Sequence, residues 1–140
     1  MNASILIYRE QDFAGVRTLW HEAFPGDPPW NSAEEAIPAK RAFQPDLFLV
    51  AVDDDKVIGT IMAGYDGHRG WLYSVAVSKS CRRRGIGSAL VREAEIRLRA
   101  LGCSKINLQI RSSNAHVQAF YDRLGYATED RVCMGKRLAG

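Results

Sequence analysis

Ser74-Val75-Ala76-Val77, followed closely by Cys81-Arg82-Arg83-Arg84-Gly85-Ile86-Gly87-Ser88, is the stretch from which the fold of this chain is read. A β-prone apolar run enters a basic, glycine-punctuated turn. Ile86, Leu90, Ala94, Leu98 and Leu101 then recur at helical spacing. Such a sequence delivers a loop of backbone N–H groups to a helix N-terminus, a place that attracts anions. Two common glycine loops do not fit. A dinucleotide fingerprint needs a third glycine where Leu90 stands, and a phosphate-binding Walker loop needs a lysine after Gly87, which is followed by Ser88. What remains is Arg82-x-x-Gly85-x-Gly87. Its glycines let backbone N–H groups approach phosphate oxygens, and its arginines add positive charge. The plainer reading is a helix start with solvated arginines.

Upstream, Ser4 to Arg9 reads as a short strand. Asp12 is placed to cap a helix carrying Val16, Leu19, Trp20, Ala23 and Phe24 on one face, and Pro25 to Pro29 stops it. Ser32 with Glu35 is a capping-box signature for a second helix, interrupted by Pro38. Leu47–Val52 is a continuous apolar run, expected to be a strand buried on both faces. Polar turns at 53–56 and 66–70 join it to strands over 57–65 and 71–77, giving an antiparallel meander. Downstream, Gly102 closes the long helix. Lys105 to Ile110 reads as a strand, Asn114 opens a helix ended by Gly125, and Val132 to Leu138 reads as a last strand. The expected order is β-α-α-β-β-β-α-β-α-β, one mixed α/β domain over residues 1–140.

The chain has 140 residues, 46% hydrophobic and 25% charged, in the range of one globular domain. A net charge of +3 gives no electrostatic reason to expect nucleic acid or a membrane surface as partner. No apolar run reaches the length of a membrane span, and the first residues lack a signal-like pattern. Cys81, Cys103 and Cys133 are odd in number and widely spaced, which suits free thiols in a reducing compartment, the cytoplasm. His21, His68 and His116 have no metal-type spacing, so no metal is expected. The acidic run Asp53-Asp54-Asp55 lacks the glycine and distal glutamate of a calcium loop.

Beyond the glycine turn lies Asn114-Ala115-x-x-x-Ala119-Phe120-Tyr121-x-x-x-Gly125-Tyr126. With both motifs in this order, residues from about Leu72 to Tyr126 resemble the acetyl-CoA-binding half of the GNAT (Gcn5-related) N-acetyltransferases. The first 45 residues match only in element order. The resemblance implies an α/β (α+β) fold, a mixed and mostly antiparallel sheet with helices on both faces. It also implies acetyl-CoA as cosubstrate. The pantetheine arm would run along Val75, Ala76 and Val77, and the pyrophosphate would lie on the turn formed by Arg82, Arg83, Arg84, Gly85, Ile86, Gly87 and Ser88. Asn114 maps to a cofactor-contacting asparagine. Tyr121 maps to the tyrosine that both meets the cofactor and protonates the departing thiolate; a phenol, with a pKa of about 10, is protonated at neutral pH.

The implied reaction is direct attack of a primary amine, on a small molecule or peptide, at the thioester carbonyl. The Val75 N–H is the candidate oxyanion donor. Relatives that acetylate protein N-termini carry a glutamate base where this chain has Gln109. Asp66, His68 and Tyr73 are substitutes, and Asp27, Glu34 and Glu35 are placed to border the acceptor; the base stays unassigned. A catalytically weak acyl-CoA-binding module is the alternative: Gln109 favours it, and Tyr121 favours the enzyme. An edge strand near the C-terminus would be open to pairing with a second copy, a homodimer.

Overall fold

The computed structural model describes residues 3–139, which fall into two compact units divided between Gln109 and Ile110. The first unit contains β1 (Ser4–Ile7), α1 (Phe13–Ala23), α2 (Ala33–Arg41), β2 (Phe48–Asp53), β3 (Lys56–Tyr65), β4 (Gly70–Val77), α3 (Ile86–Ala100) and β5 (Ile106–Leu108). The sheet order follows the chain, β1 to β5. Neighbours are antiparallel through β4, and β5 lies parallel to β4. Local chemistry accounts for this order. Asp54 and Asp55 both take positive φ, 53° and 63°, as a primed hairpin turn requires. The Asp66 carboxylate accepts the N–H groups of His68 and Arg69 at 2.7 and 2.6 Å and closes the β3–β4 turn. A parallel neighbour needs a crossover, and α3 supplies it.

β2 is buried on both faces as its continuous apolar run predicts. Phe48, Val50 and Val52 join Val16, Leu19 and Trp20 of α1 and Ala33 and Ile37 of α2 in one core. Alternation along the strand turns Leu49 and Ala51 to the other face, which α3 covers with Ile86, Leu90, Val91, Ala94 and Leu98. Helices thus pack on both sides of the sheet. α3 comes closest at Gly59. A Cβ there would sit 2.9 Å from the Leu90 methyl and 3.2 Å from the Ala76 carbonyl oxygen.

β4 departs from regular pairing. Thr60 is opposite Ala76 and Met62 is opposite Tyr73, so Ser74 and Val75 together face Ile61. This is a β-bulge, and Ser74 holds a left-handed φ of 52°. A buried relay fixes it. Trp20 Nε1–H donates to the Thr60 hydroxyl at 2.9 Å, and that hydroxyl donates to the Ser74 carbonyl at 2.9 Å. Thr60 has no exposed surface. β5 pairs β4 only at Gly70, Trp71 and Leu72. Past the bulge, β4 therefore runs on without a strand neighbour on that side within this unit.

The second unit carries α4 (Ala115–Arg123). Two expectations are corrected here and at β5. Residues 132–138 form no strand. A strand is stable only in a ladder, and this unit has no other strand among its described residues to pair with. Val132, Met134 and Leu138 are exposed accordingly. The homodimer expected through an edge strand there loses its stated basis. β5 is also shorter than the expected 105–110. In the first unit, Asp12 precedes α1 but does not cap it: its carboxylate accepts from the backbone and guanidinium of Arg9 instead. Ser32 does cap α2, accepting from the Glu35 N–H at 3.4 Å. Among the described residues no helix is long and apolar enough to cross a membrane.

Replacing Thr60 with valine keeps the shape but strands the Trp20 N–H and the Ser74 carbonyl. Urea unfolding is expected to show a loss of about 2–4 kcal/mol. Thr60→Ser, which keeps the hydroxyl, is expected to lose about 1 kcal/mol or less by that route. Equal losses in the two variants would dismiss the relay as a determinant of stability.

Candidate active site

The basic turn follows β4 through a single 3₁₀ turn at Lys79–Cys81, which the Glu22 carboxylate of α1 holds by accepting the Lys79 N–H at 2.8 Å. Gly85 precedes α3 with φ 77°, a conformation that favours glycine whatever the space around it. No side chain caps α3, and its first turn carries no acidic residue. The N–H groups that a helix start leaves without an intrahelical partner are those of Ile86, Gly87 and Ser88. Arg84, though exposed, is held by partners, the Asp53 carboxylate at 3.2 Å and the Cys81 sulfur at 3.5 Å. Arg82 and Arg83 are exposed and form no ion pair among the described residues. Arg83 has a φ of 67°. The structure thus gathers Arg82 to Ser88 directly beyond Val75, Ala76 and Val77, as the sequence predicts. Ala76 is buried toward α1, and Val75 and Val77 are half-buried.

At the bulge a cavity of about 260 Å³ opens. Tyr73 and Ser74 of β4 line it, with Met62 of β3 and Asn31, Ala36, Ala39, Lys40 and Phe43 from and around α2. Lys40 is only 6% exposed. Its ammonium donates to the Ala63 carbonyl and stands 5.5 Å from the centre of the Tyr73 ring. Burial pulls its pKa down to about 8. A larger hollow, about 400 Å³, lies on α1 and α2 beside Glu10 and Arg41; it includes no residue of β4 or the turn, and its two charges pair with each other.

In the second unit Asn114 is exposed and immediately precedes α4. Tyr121 is buried, with Phe120 and Tyr126 set edge-on to its ring at 4.9 and 5.6 Å between centres. Burial pushes its phenol up to about 12, so it holds its proton throughout the neutral range.

The candidate bases separate. The two backbone N–H groups bound to Asp66, first Arg69 and then His68, hold its carboxyl below the usual range. A carboxylate so stabilised is a weak proton acceptor. His68 is exposed in the same turn. Tyr73 lines the cavity, and burial raises its pKa, so it stays protonated near neutrality. Gln109 follows β5 directly. Glu34 pairs with Arg17 at 3.3 Å. Among the described residues, no three His, Cys, Asp or Glu side chains gather as a metal site requires.

A sequence model of the acetyltransferase (GNAT) family matches residues 13–126. An acetyltransferase of Pectobacterium atrosepticum is 45% identical over 134 residues, spanning 96% of this chain and 94% of that one. The chain belongs to the GNAT acetyltransferase family. Another acetyltransferase, of Sodalis glossinidius, is 46% identical over 96% of this chain and 94% of its own length. Solved structures share the fold at lower identity. Ard1 from Thermoplasma volcanium superposes with a TM-score of 0.81 at 21% identity, covering 91% of this chain and 84% of its own. The aminoglycoside acetyltransferase AAC(6')-Iy, in complex with the bisubstrate analog CoA-S-monomethyl-acetylneamine, gives 0.78 at 19% identity, covering 99% and 100%.

Sequence reading of this GNAT acetyltransferase missed the bulge and Lys40. The bulge carries no glycine or asparagine at its left-handed residue to announce it. Lys40 did leave a signal. Ala33, Ile37 and Lys40 fall four and three residues apart, so they share the core-facing stripe of α2. A lysine in an apolar stripe marks either a snorkelling side chain or a buried charge.

Lys40 is charged in both folded and unfolded states below pH 8, where its burial penalty is fully present. Between about 8 and 10.5 the unfolded chain binds the extra proton, so stability from this group rises with pH. Lys40→Met is expected to be more stable than the wild type at pH 7 by about 1–2 kcal/mol, after losing the Ala63 hydrogen bond and the ring contact. The gain should shrink as pH climbs through that window. Denaturant unfolding at pH 7 and 10 checks both the sign and the trend; a variant less stable at pH 7 would show Lys40 to be a structural cation.

Proposed function

We propose that this GNAT acetyltransferase transfers the acetyl group of acetyl-CoA to a primary amine of a small molecule or peptide, by direct attack with all reactants bound together. The observation that carries this reading is the bulge at Ser74–Val75. It lies on a strand that, within its unit, has no strand neighbour on one side past Leu72 and that leads through the 3₁₀ turn and the basic turn to an uncapped helix N-terminus. An extended pantetheine can hydrogen-bond to Val75–Val77 as an added strand would. Its pyrophosphate suits the N–H groups of Ile86, Gly87 and Ser88, with Arg82 and Arg83 supplying charge beside them. Arg84, engaged with Asp53, shapes the turn instead of reaching for the anion.

The amine nitrogen would attack the thioester carbon and the oxyanion would form against the Val75 N–H; as the C–S bond breaks, Tyr121 would give its proton to the thiolate, and the proton lost by the attacking nitrogen would return to Tyr121 through water. The high pKa of Tyr121 keeps that proton in place until a thiolate forms. Asn114 contacts the cofactor in this reading. The family match runs across the boundary at Gln109, so both units are read as parts of one acetyltransferase domain. Free cysteines suit the cytoplasm as its location. The second reading, a weakly catalytic acyl-CoA-binding module, is favoured by Gln109 and by the tied-up carboxylate of Asp66.

Mass spectrometry of an amine and peptide panel incubated with the full chain and acetyl-CoA decides between them. Acetylated product supports the enzyme; cofactor binding with no product across the panel supports the binding module. Tyr121→Phe is expected to lower turnover roughly 10²–10⁴-fold while acetyl-CoA affinity changes little. Unchanged turnover would remove Tyr121 as the acid. Gly87→Asp puts a negative charge in the first turn of α3, where a helix tolerates or welcomes it. Its folding stability should therefore hold while acetyl-CoA affinity, read by calorimetry, falls at least about 10-fold; unchanged affinity would rule out the turn as the pyrophosphate seat.

A further inference from the structure

Among the described residues two charged side chains are buried, Asp12 and Lys40. The first is answered: the Arg9 guanidinium lies 3.0 Å from its carboxylate. Among the described residues no such partner answers Lys40. An ammonium has three N–H donors, and the contacts of this one are the Ala63 carbonyl and the face of the Tyr73 ring, neither of which carries a formal charge. A buried charge without a counter-ion is costly, and a methionine or leucine on the stripe with Ala33 and Ile37 would avoid that cost. Lys40 also lines the 260 Å³ cavity that reaches Ser74 at the bulge. That volume is below the roughly 300–1,000 Å³ of sites for drug-sized ligands. Its walls are mostly apolar, Ala36, Phe43 and Met62, with the Asn31 amide as a further polar group.

We propose that Lys40 receives a carboxylate of the acceptor, so that the acceptor is a small primary amine bearing a carboxylate and a short apolar body, of the α-amino-acid kind. The anion completes the ion pair that α2 leaves open. The apolar body lies against Ala36, Phe43 and Met62. Both Tyr73 and Ser74 border the same cavity, so a molecule anchored on Lys40 lies alongside the bulge of β4, where the proposed function places the thioester. This assignment rests on that proposed function for the fate of the amine, but the carboxylate site stands on the cavity and the unanswered charge alone. At neutral pH the lysine carries its proton and is ready to pair.

The test has a binding arm and a turnover arm, both on the full chain. In the first, 3-phenylpropionate and 3-phenylpropanamide are titrated calorimetrically in the presence of coenzyme A. They differ in charge and little in shape. The acid is expected to bind at least about 10-fold more tightly than the amide, and the difference should vanish in Lys40→Met, whose fold is checked by thermal melting. Equal affinities in the wild type, no binding of either probe, or an acid preference that survives in the variant would each overturn the site. In the second arm, L-phenylalanine and phenethylamine are compared as acceptors. A kcat/KM ratio of about 10-fold or more in favour of the amino acid, expressed in KM and reduced to near one in Lys40→Met, is expected. A variant that loses kcat equally for both would make Lys40 a base and overturn the carboxylate role. Acid-selective binding with no acetylation of either amine would remove the acetyl-transfer reading and leave the carboxylate site in place.

Discussion

The hydrogen bond from the Thr60 hydroxyl to the Ser74 carbonyl is the constraint on which the geometry of β4 depends. β4 must depart from the regular ladder to expose its backbone, and a departure of this kind is not stable by itself. It puts a non-glycine residue at positive φ, which costs on the order of 1 kcal/mol or more. The compensation comes from the opposite face of the core. Trp20 on α1 is held by the β2–α1 packing, donates to Thr60, and orients the hydroxyl so that its own proton points at Ser74. Helix position, strand register and the bulge are therefore linked through one buried oxygen. A hydroxyl is suited to this place because one small oxygen donates and accepts at once, where an apolar group serves neither partner.

From that point the two ends of β4 diverge in purpose. Up to Leu72 the strand is an interior member of a mixed sheet, paired on both sides. Past the bulge, within its unit, it is paired on one side only and leads into a turn whose charges differ in whether they are paired. Arg84 is spent on Asp53 and Cys81, which fixes the turn, and Arg82 and Arg83 stay exposed. The close approach of α3 at Gly59, on the strand next to β4, keeps the N-terminus of the helix near the end of that strand. Arg84 thus helps build the turn, while Arg82 and Arg83 form no ion pair among the described residues.

Much of this was legible in the sequence. The continuous run of β2, the Asp-rich hairpin and the stripe Ile86, Leu90, Ala94, Leu98 each express a single local period, and the structure honours them. The motif Arg82-x-x-Gly85-x-Gly87 located the turn because a left-handed residue before a helix leaves a glycine behind. What escaped was non-local. Ser74 takes its conformation from Thr60, fourteen residues away, and nothing in the local sequence distinguishes it. The C-terminal stretch 132–138 shows the opposite failure: β-prone residues are present, but strand formation is a property of pairs, and its unit offers no second strand among the described residues.

Lys40 joins both lessons. Its place on the apolar stripe of α2 is readable from spacing alone, but its meaning depends on what surrounds it in space. A lysine near a helix C-terminus is favoured by the dipole and usually keeps its head in water. Here Met62, Tyr73 and the end of α2 enclose the head, and the carbonyl of Ala63 is its hydrogen-bond acceptor. Folding alone would favour an apolar residue at this site, as at Ile37 one turn earlier. An unanswered charge next to the bulge is what the proposed acceptor carboxylate would complete, and the fold alone gives no reason for it. The opposition between stability and use is what ties this side chain to the strand beside it.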